Sequence, residues 1–453
     1  MNHTELRAAT SLAFVYVLRM LGLFMVMPVL ALLALEYADY SPLLLGLAIG
    51  GYGLTQAVLQ IPMGMLSDRI GRKPVIVAGL VMFAFGSLVA AMADSLMWVV
   101  IGRILQGAGA IAGAVMALAG DVSRDSQRPK VMAVIGVSIG FSFYLSLLLG
   151  PLLSEDYGLS GIFWATSLLA LACIPLVIFV VPKAQNLAPS GDTLPRLKDL
   201  GALLMEPKLR KLNFSVLVLH LLITLLFMQF PKLLVAQGWP LDSHWQIYLP
   251  VLLLSVLAMA MLMRLSKRLG ASKALKLSIL LLTLAFAGLA LVSNQWLLLL
   301  MCWLFFTGFN YLEANLPALV SSLAPAGKKG SAMGAYASFQ FFGAFLGGSL
   351  AGVIGQYLGN AWLFPAAALL SLIWLFLLGD MAGGAGHLKR YTLAVNPANG
   401  PIEQIVQELR RMAGVKDITL VPEELAIYLK VDSRQFNLRQ ARQVVNSGLP
   451  PQA

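Results

Sequence analysis

The chain has 453 residues, of which 59% are hydrophobic and only 12% charged, with a formal net charge of +11 and a mean hydropathy of +0.81. Soluble domains carry about 25% charged residues, so a disordered chain, a coiled coil and a nucleic-acid-binding globule are excluded, and an integral membrane protein is what remains. At about 20 apolar residues per spanning helix, the length accommodates about a dozen spans joined by short connections.

Apolar runs bounded by polar or Gly/Pro breaks predict twelve spans, at 11–35, 43–66, 74–93, 97–121, 131–153, 161–182, 213–236, 245–266, 273–293, 296–323, 329–357 and 360–379. The first run is long enough to span and lacks a cleavable-signal pattern, so it is expected to be retained. It carries Arg19, an intramembrane cation that either salt-bridges a carboxylate, attracts an anionic group or packs. The second contributes Gln56 and Gln60, candidates for a polar cavity. Between spans two and three runs Gly64-Met65-Leu66-Ser67-Asp68-Arg69-Ile70-Gly71-Arg72-Lys73. An acid at a membrane helix end must be paired or set against a helix N-terminus. Asp68 is therefore expected to face the first turn of span eleven, near Gly330-Ser331-Ala332, while Gly71 permits a tight turn and Arg72 reaches Asp121. Together these residues would form either a conformational latch or a plain basic loop that holds orientation.

Span four carries Arg103-Ile104-Leu105-Gln106-Gly107-Ala108-Gly109, and the cost of an arginine in hydrocarbon turns Arg103 toward the protein interior. Span five holds Gly136, Gly140 and the pair Gly150-Pro151. The connection 183–212 alternates leucines (Leu194, Leu197, Leu200, Leu204) with charges, which fits either a short amphipathic helix on the membrane surface or a solvated basic linker. In the second half, His220 in span seven and Glu313 in span ten are the remaining intramembrane ionisable groups. Glu313 is either a proton-coupling carboxylate or a structural one pinned by a neighbouring helix; His220 is either its partner in coupling or a satisfied core histidine. Asn310, Asn315 and Gln340 are further cavity candidates, and Cys173 and Cys302 read as small hydrophobes.

Connections of one parity, together with the N-terminal tail, hold twenty basic residues, whereas the others hold only Lys232. The positive-inside rule then predicts cytoplasmic termini. Leu66-Ser67-Asp68-Arg69-Ile70-Gly71 recurs as Leu265-Ser266-Lys267-Arg268-Leu269-Gly270, an echo of the first half in the second. The predicted organisation is therefore a six-helix bundle at 1–182, a central loop at 183–212, a second bundle at 213–380, a Gly-rich linker at 381–388 and a small soluble domain at 389–453. In that domain, strands at 390–395, 417–421 and 426–431 and helices at 402–412 and 438–445 form most of a ferredoxin-like unit.

These motifs resemble the major facilitator superfamily: the 64–73 segment its motif A, Arg103 to Gly109 its motif B, and Gly136, Gly140 and Gly150-Pro151 part of the antiporter motif C, in which Ser154 and Glu155 replace an expected glycine pair. With Leu18-Arg19-Met20-Leu21-Gly22, Met27-Pro28-Val29-Leu30, Tyr52-Gly53-Leu54-Thr55-Gln56-Ala57-Val58 and Leu212-Asn213-Phe214, the whole chain is similar to YajR-type transporters of the drug:proton antiporter group, which carry a ferredoxin-like domain after span twelve. The resemblance implies the twelve-helix fold, a bacterial inner-membrane location, and proton-driven efflux of a small molecule by alternating access. In that family, Glu and His occupy the positions of Glu313 and His220. The expected partners are a small-molecule substrate, protons and lipid, with no nucleic acid; no catalytic residues, no metal and no cofactor are expected, and no ATP-binding loop occurs. A membrane sensor signalling through the C-terminal domain, and a symporter or uniporter, are the alternative readings.

Overall fold

The computed structural model describes residues 1–123, 127–182, 197–291, 294–379, 388–395, 401–421 and 425–447. Two compact units are distinguished: Met1–Asn186, Asn213–Ala314 and Ala337–Gly379 in one, and Leu187–Leu212, Asn315–Tyr336 and Asp380–Ala453 in the other.

The helices in chain order are α1 (His3–Phe24), α2 (Met27–Leu33), α3 (Pro42–Ile70), α4 (Arg72–Ala91), α5 (Leu96–Ala108), α6 (Ala112–Asp121), α7 (Arg128–Pro175), α8 (Leu197–Met205), α9 (Pro207–Ala236), α10 (His244–Leu269), α11 (Ala271–Ala290), α12 (Gln295–Leu323), α13 (Lys329–Tyr357) and α14 (Leu363–Leu377). Eleven segments among the described residues are long and apolar enough to cross a membrane, and one of them, Lys130–Val180, is 51 residues long. At 1.5 Å per residue that is about two and a half times the ~30 Å hydrocarbon thickness. Gly158 (φ 59°, ψ −163°) breaks it. Before the break the chain runs alongside α1, with Phe143 beside Phe24 and Gly150 against Met25; after it the direction reverses, with Thr166 bonding Gly22 and Cys173 facing Val15. Predicted spans five and six are thus one hairpin, and the eleven segments make twelve crossings.

Two predicted spans are interrupted. The first divides between α1 and α2, with Pro28 in the first turn of α2, where its missing N–H costs nothing. The fourth divides at Gly109 (φ −75°, ψ 47°), so α5 and α6 are separated by three residues in mid-span. The internal echo is structural as well: α3 ends on Gly71 (φ 98°, ψ 154°) and α10 on Gly270 (φ 87°, ψ 148°), in nearly the same conformation. This backbone region is open essentially to glycine alone. The helices that follow, α4 and α11, are both 20 residues long.

Small residues set the closest helix approach. A Cβ added at Gly46 of α3 would lie 2.1 Å from the Gly348 carbonyl oxygen of α13, and one at Gly53 would lie 2.4 Å from that of Phe341. On another face of α13, a Cβ at Gly343 would meet the Leu217 carbonyl of α9 at 2.2 Å. Without glycine these backbones could not touch.

In the second unit, α8 forms within the predicted amphipathic stretch, whose residues 194–196 lie outside the described residues. In it Leu203 is buried, and Leu200 and Leu204 are half-buried. The C-terminal domain contains β1 (Leu388–Ala394), α15 (Ile402–Arg411), β2 (Val415–Val421), β3 (Ala426–Asp432) and α16 (Leu438–Ser447). Its antiparallel sheet has the order β1-β3-β2, and Leu393, Ile405, Leu409, Ile427, Leu429, Val431 and Val444 form its core. The predicted elements and the ferredoxin-like order are present, without a fourth strand among the described residues. The predicted Gly-rich linker falls outside the described residues up to 387, and β1 begins at Leu388.

The end of α12 lies in this same unit. Arg390 donates to the Ala324 and Pro325 carbonyls, Lys430 Nζ donates to the Leu323 carbonyl at 2.7 Å, and the Ala326 amide donates to Asp417 at 2.9 Å. The cations meet carbonyls that a helix C-terminus leaves unbonded. Burial, followed by the Arg390 guanidinium, holds the Lys430 ammonium below the usual lysine range.

Candidate functional site

Three helices bring His220, Glu313 and Gln340 together. His220 sits on α9, where its Nδ1 is 3.1 Å from the Val216 carbonyl one turn earlier. Since a carbonyl only accepts, Nδ1 carries a hydrogen, and in the neutral ring Nε2 is the acceptor. Gln340 of α13 donates to it, its Nε2 lying 2.8 Å from His220 Nε2 and 3.3 Å from Glu313 Oε1. Glu313 Oε2 is 3.7 Å from His220 Nε2, beyond hydrogen-bonding distance, and has no hydrogen-bond partner among the described residues. Phe309, one turn before Glu313 on α12, places its ring 6.2 Å from that of His220. The His220 and Glu313 side chains are 15% and 38% exposed, with Glu313 Oε2 itself buried. Such a group can hold one mobile proton. Gln340, expected to line a cavity, bridges the two ionisable residues.

Nearby, Asn310 donates to Ser255 of α10 at 3.0 Å, and Asn315 is half-buried two residues beyond Glu313. Ser255 has no distinguishing sequence signal; its role follows only from the packing of α10 on α12.

Arg19 and Arg103, the intramembrane arginines of the first half, are both fully buried, as the cost of intramembrane charge requires, yet neither meets a carboxylate among the described residues. Arg19 Nη2 donates to the Gly109 carbonyl at 3.0 Å and to Gln56 Oε1 at 3.3 Å, with Phe83 beneath its guanidinium. The break after α5 frees the Gly109 carbonyl for this use. Arg19 Nε and Nη1 have no hydrogen-bond partner among the described residues. Arg103 donates to the Ala48 and Ile49 carbonyls of α3 and to Gln106 Oε1, and stacks 4.5 Å from the centre of Tyr52. Gln106 in turn donates to Ser87. Gly107 lets α5 approach α3, since a Cβ there would lie 2.0 Å from the Tyr52 carbonyl. Gln56 and Gln60 are both buried, so in this structure neither lines an open surface.

At the α3–α4 turn, Arg72 collects the surrounding acceptors. Its Nε donates to Asp121 Oδ2 at 2.9 Å and its Nη1 to Ser67 Oγ at 2.9 Å and to Asp68. Lys73 donates to the Ile178 and Val181 carbonyls, tying the turn to the end of the α7 hairpin, and Arg69 is exposed. Ser67 donates to the Gly64 carbonyl at 2.6 Å. The predicted Arg72–Asp121 pair is therefore present, with Ser67 as a further member. Of the span-five glycines, Gly150 is explained by packing, since a Cβ would lie 2.5 Å from the Met25 carbonyl just before Pro151, whereas Gly136 and Gly140 have open space around them.

The sequence profile described as Major Facilitator Superfamily matches residues 12–348. The inner membrane transport protein YajR of Escherichia coli strain K12 is 39% identical over 450 residues, covering 98% of each chain. A multidrug resistance protein, MdtL of Escherichia coli, is 29% identical over 154 residues, which is 34% of this chain and 39% of MdtL. Among solved structures, a bacterial homologue of the human lysosomal transporter Spinster, in an inward-facing and occupied conformation, superposes with a TM-score of 0.69 at 12% identity, over 83% of this chain and 97% of that one.

Proposed function

The chain belongs to the Major Facilitator Superfamily, and from that membership we propose that it is a secondary active transporter that exports a small molecule in exchange for protons by alternating access. It is a multi-pass membrane transporter rather than an enzyme. The proposed location is the bacterial inner membrane, with both termini cytoplasmic, supported by the location in YajR's name and by the asymmetry of basic residues. Export is supported by the similarity to MdtL and by the partial motif C around Gly150-Pro151.

The observation that carries proton coupling is the His220–Gln340–Glu313 cluster. Glu313 has one oxygen tied to Gln340 and the other without a partner among the described residues, so it can take up and release a proton without dismantling its surroundings. Proteoliposomes loaded with a pH dye and acidified inside, screened against a panel of organic cations and anions, identify a substrate by proton release. Glu313→Gln, which mimics a permanently protonated carboxyl, abolishes that release while leaving ligand binding. A well-folded Glu313→Gln protein with normal proton-coupled exchange removes Glu313 from the mechanism.

The contacts of Arg390, Lys430 and Asp417 with the end of α12 support a second reading, in which the C-terminal domain reports a ligand-bound state. Deletion of residues 381–453 separates the two: a transporter retains flux, and a sensor loses its output.

A further inference from the structure

We propose that Gln340 is a positioning residue that holds His220 as the Nδ1–H tautomer and thereby directs the mobile proton of the cluster to Glu313 Oε2. This rests on the reading that Glu313 carries the coupling proton, but the tautomer follows from geometry alone.

The primary amide of Gln340 has two N–H hydrogens and two acceptors in reach, His220 Nε2 at 2.8 Å and Glu313 Oε1 at 3.3 Å. Both bonds form only if His220 Nε2 is a lone pair. The Val216 carbonyl, 3.1 Å from Nδ1, requires the ring hydrogen on the other nitrogen. The two contacts thus select the same tautomer from opposite sides of the ring.

The two candidate proton positions then differ. A proton on Glu313 Oε2 arrives at an oxygen with no hydrogen-bond partner among the described residues and leaves both Gln340 bonds and the Val216 bond intact. A proton on His220 Nε2 sets two donors 2.8 Å apart. To relieve that clash, either the ring swings toward Glu313 Oε2, now 3.7 Å away, or the Gln340 amide turns over and gives up its bond to Glu313. Either route breaks an existing hydrogen bond, and protonating Glu313 breaks none. His220 is accordingly a fixed acceptor that orients Gln340, and Glu313 is the group that changes state.

The test is imidazole nitrogen NMR on the full-length protein in nanodiscs, with 15N-labelled histidine and His220→Gln used to assign the signal. Wild-type protein shows His220 with a protonated Nδ1 and an unprotonated Nε2. Gln340→Met is of similar size but removes both donors, so Glu313 becomes the stronger competitor for a ring hydrogen, and loss of the single tautomer with appearance of Nε2–H is expected. Gln340→Glu replaces the donor by an acceptor and places the hydrogen on Nε2. A wild-type His220 carrying a hydrogen on Nε2 overturns the proposal without recourse to any variant. So does retention of the wild-type tautomer in both variants, which would leave Val216 alone in control. If Glu313→Gln retains proton-coupled exchange while the tautomer responds as expected, it is the coupling role of Glu313 that fails and the positioning by Gln340 that stands.

Discussion

Gly348→Ala is expected to separate α3 from α13. A Cβ at Gly348 would lie 2.2 Å from the Gly46 carbonyl oxygen and 2.9 Å from the Gly50 amide nitrogen, against backbone that has no rotamer with which to yield. Restoring ordinary contact moves the helices apart by about 1 Å, and overpacking of this kind costs about 1–3 kcal/mol. If the two bundles rock against each other, that cost falls only on conformations in which this end of α3 touches α13, and 1–3 kcal/mol shifts a two-state population about 5- to 150-fold. Spin labels at Leu44 and Tyr357, in a background with Cys173 and Cys302 replaced, read the separation directly. The expected result is a broadened or lengthened distance distribution in Gly348→Ala and in Gly46→Ala. Gly136→Ala, with nothing within 4 Å of the added methyl, is the control and leaves the distribution unchanged. An unaltered distribution in both seam variants, in protein that is folded, refutes the assignment of this contact as a tight backbone seam.

Arg72→Ala removes a guanidinium from buried Asp121 and is expected to cost about 3 kcal/mol, whereas Asp68→Asn alters a partner that is 36% exposed and costs less than about 1 kcal/mol; thermal unfolding of the two variants in detergent compares them. Gly71→Ala and Gly270→Ala each place a side chain in a glycine-only conformation, so similar losses of about 1–3 kcal/mol are expected at the two turns, and a large loss at only one would show that the turns are not equivalent. Asp39 accepts from the Leu96 amide at 2.7 Å and the Met97 amide at 3.0 Å, and the Leu96 bond leads in holding its carboxyl below the usual carboxylate range. Its stabilisation is therefore complete above the ordinary carboxylate value of about 4 and is lost as pH falls through the lower folded value. The melting-temperature gap between wild type and Asp39→Asn is expected to be widest at neutral pH and to close on acidification.

Periodicity and turn chemistry made much of this legible from the residues. The recurrence of Leu-Ser-x-Arg-x-Gly foretold two turns that share a backbone conformation, because only glycine tolerates it, and in the small domain alternating hydrophobicity placed strands and helices within about two residues of where they lie. Arg72 and Asp121 could be paired in advance because few acids share that basic end of the helices. The interior was harder. Gln340 read as one more polar residue in a span, since the rotation of α13 against α9 and α12 is set by glycine contacts spread over three helices. The partner of Arg19 was invisible for another reason: it is a backbone carbonyl, freed by a helix break at Gly109 that no local residue pattern distinguished from an ordinary packing glycine.

That choice of partner has an electrostatic consequence. Carbonyl oxygens and aromatic faces do not titrate, so the surroundings of Arg19 and Arg103 keep the same charge over the whole physiological pH range. A carboxylate partner would have made the charge inside the first bundle depend on pH. As built, the intramembrane charge of α1 and α5 is constant ballast, and under the proposed function the response to acidity falls to the His220–Gln340–Glu313 cluster.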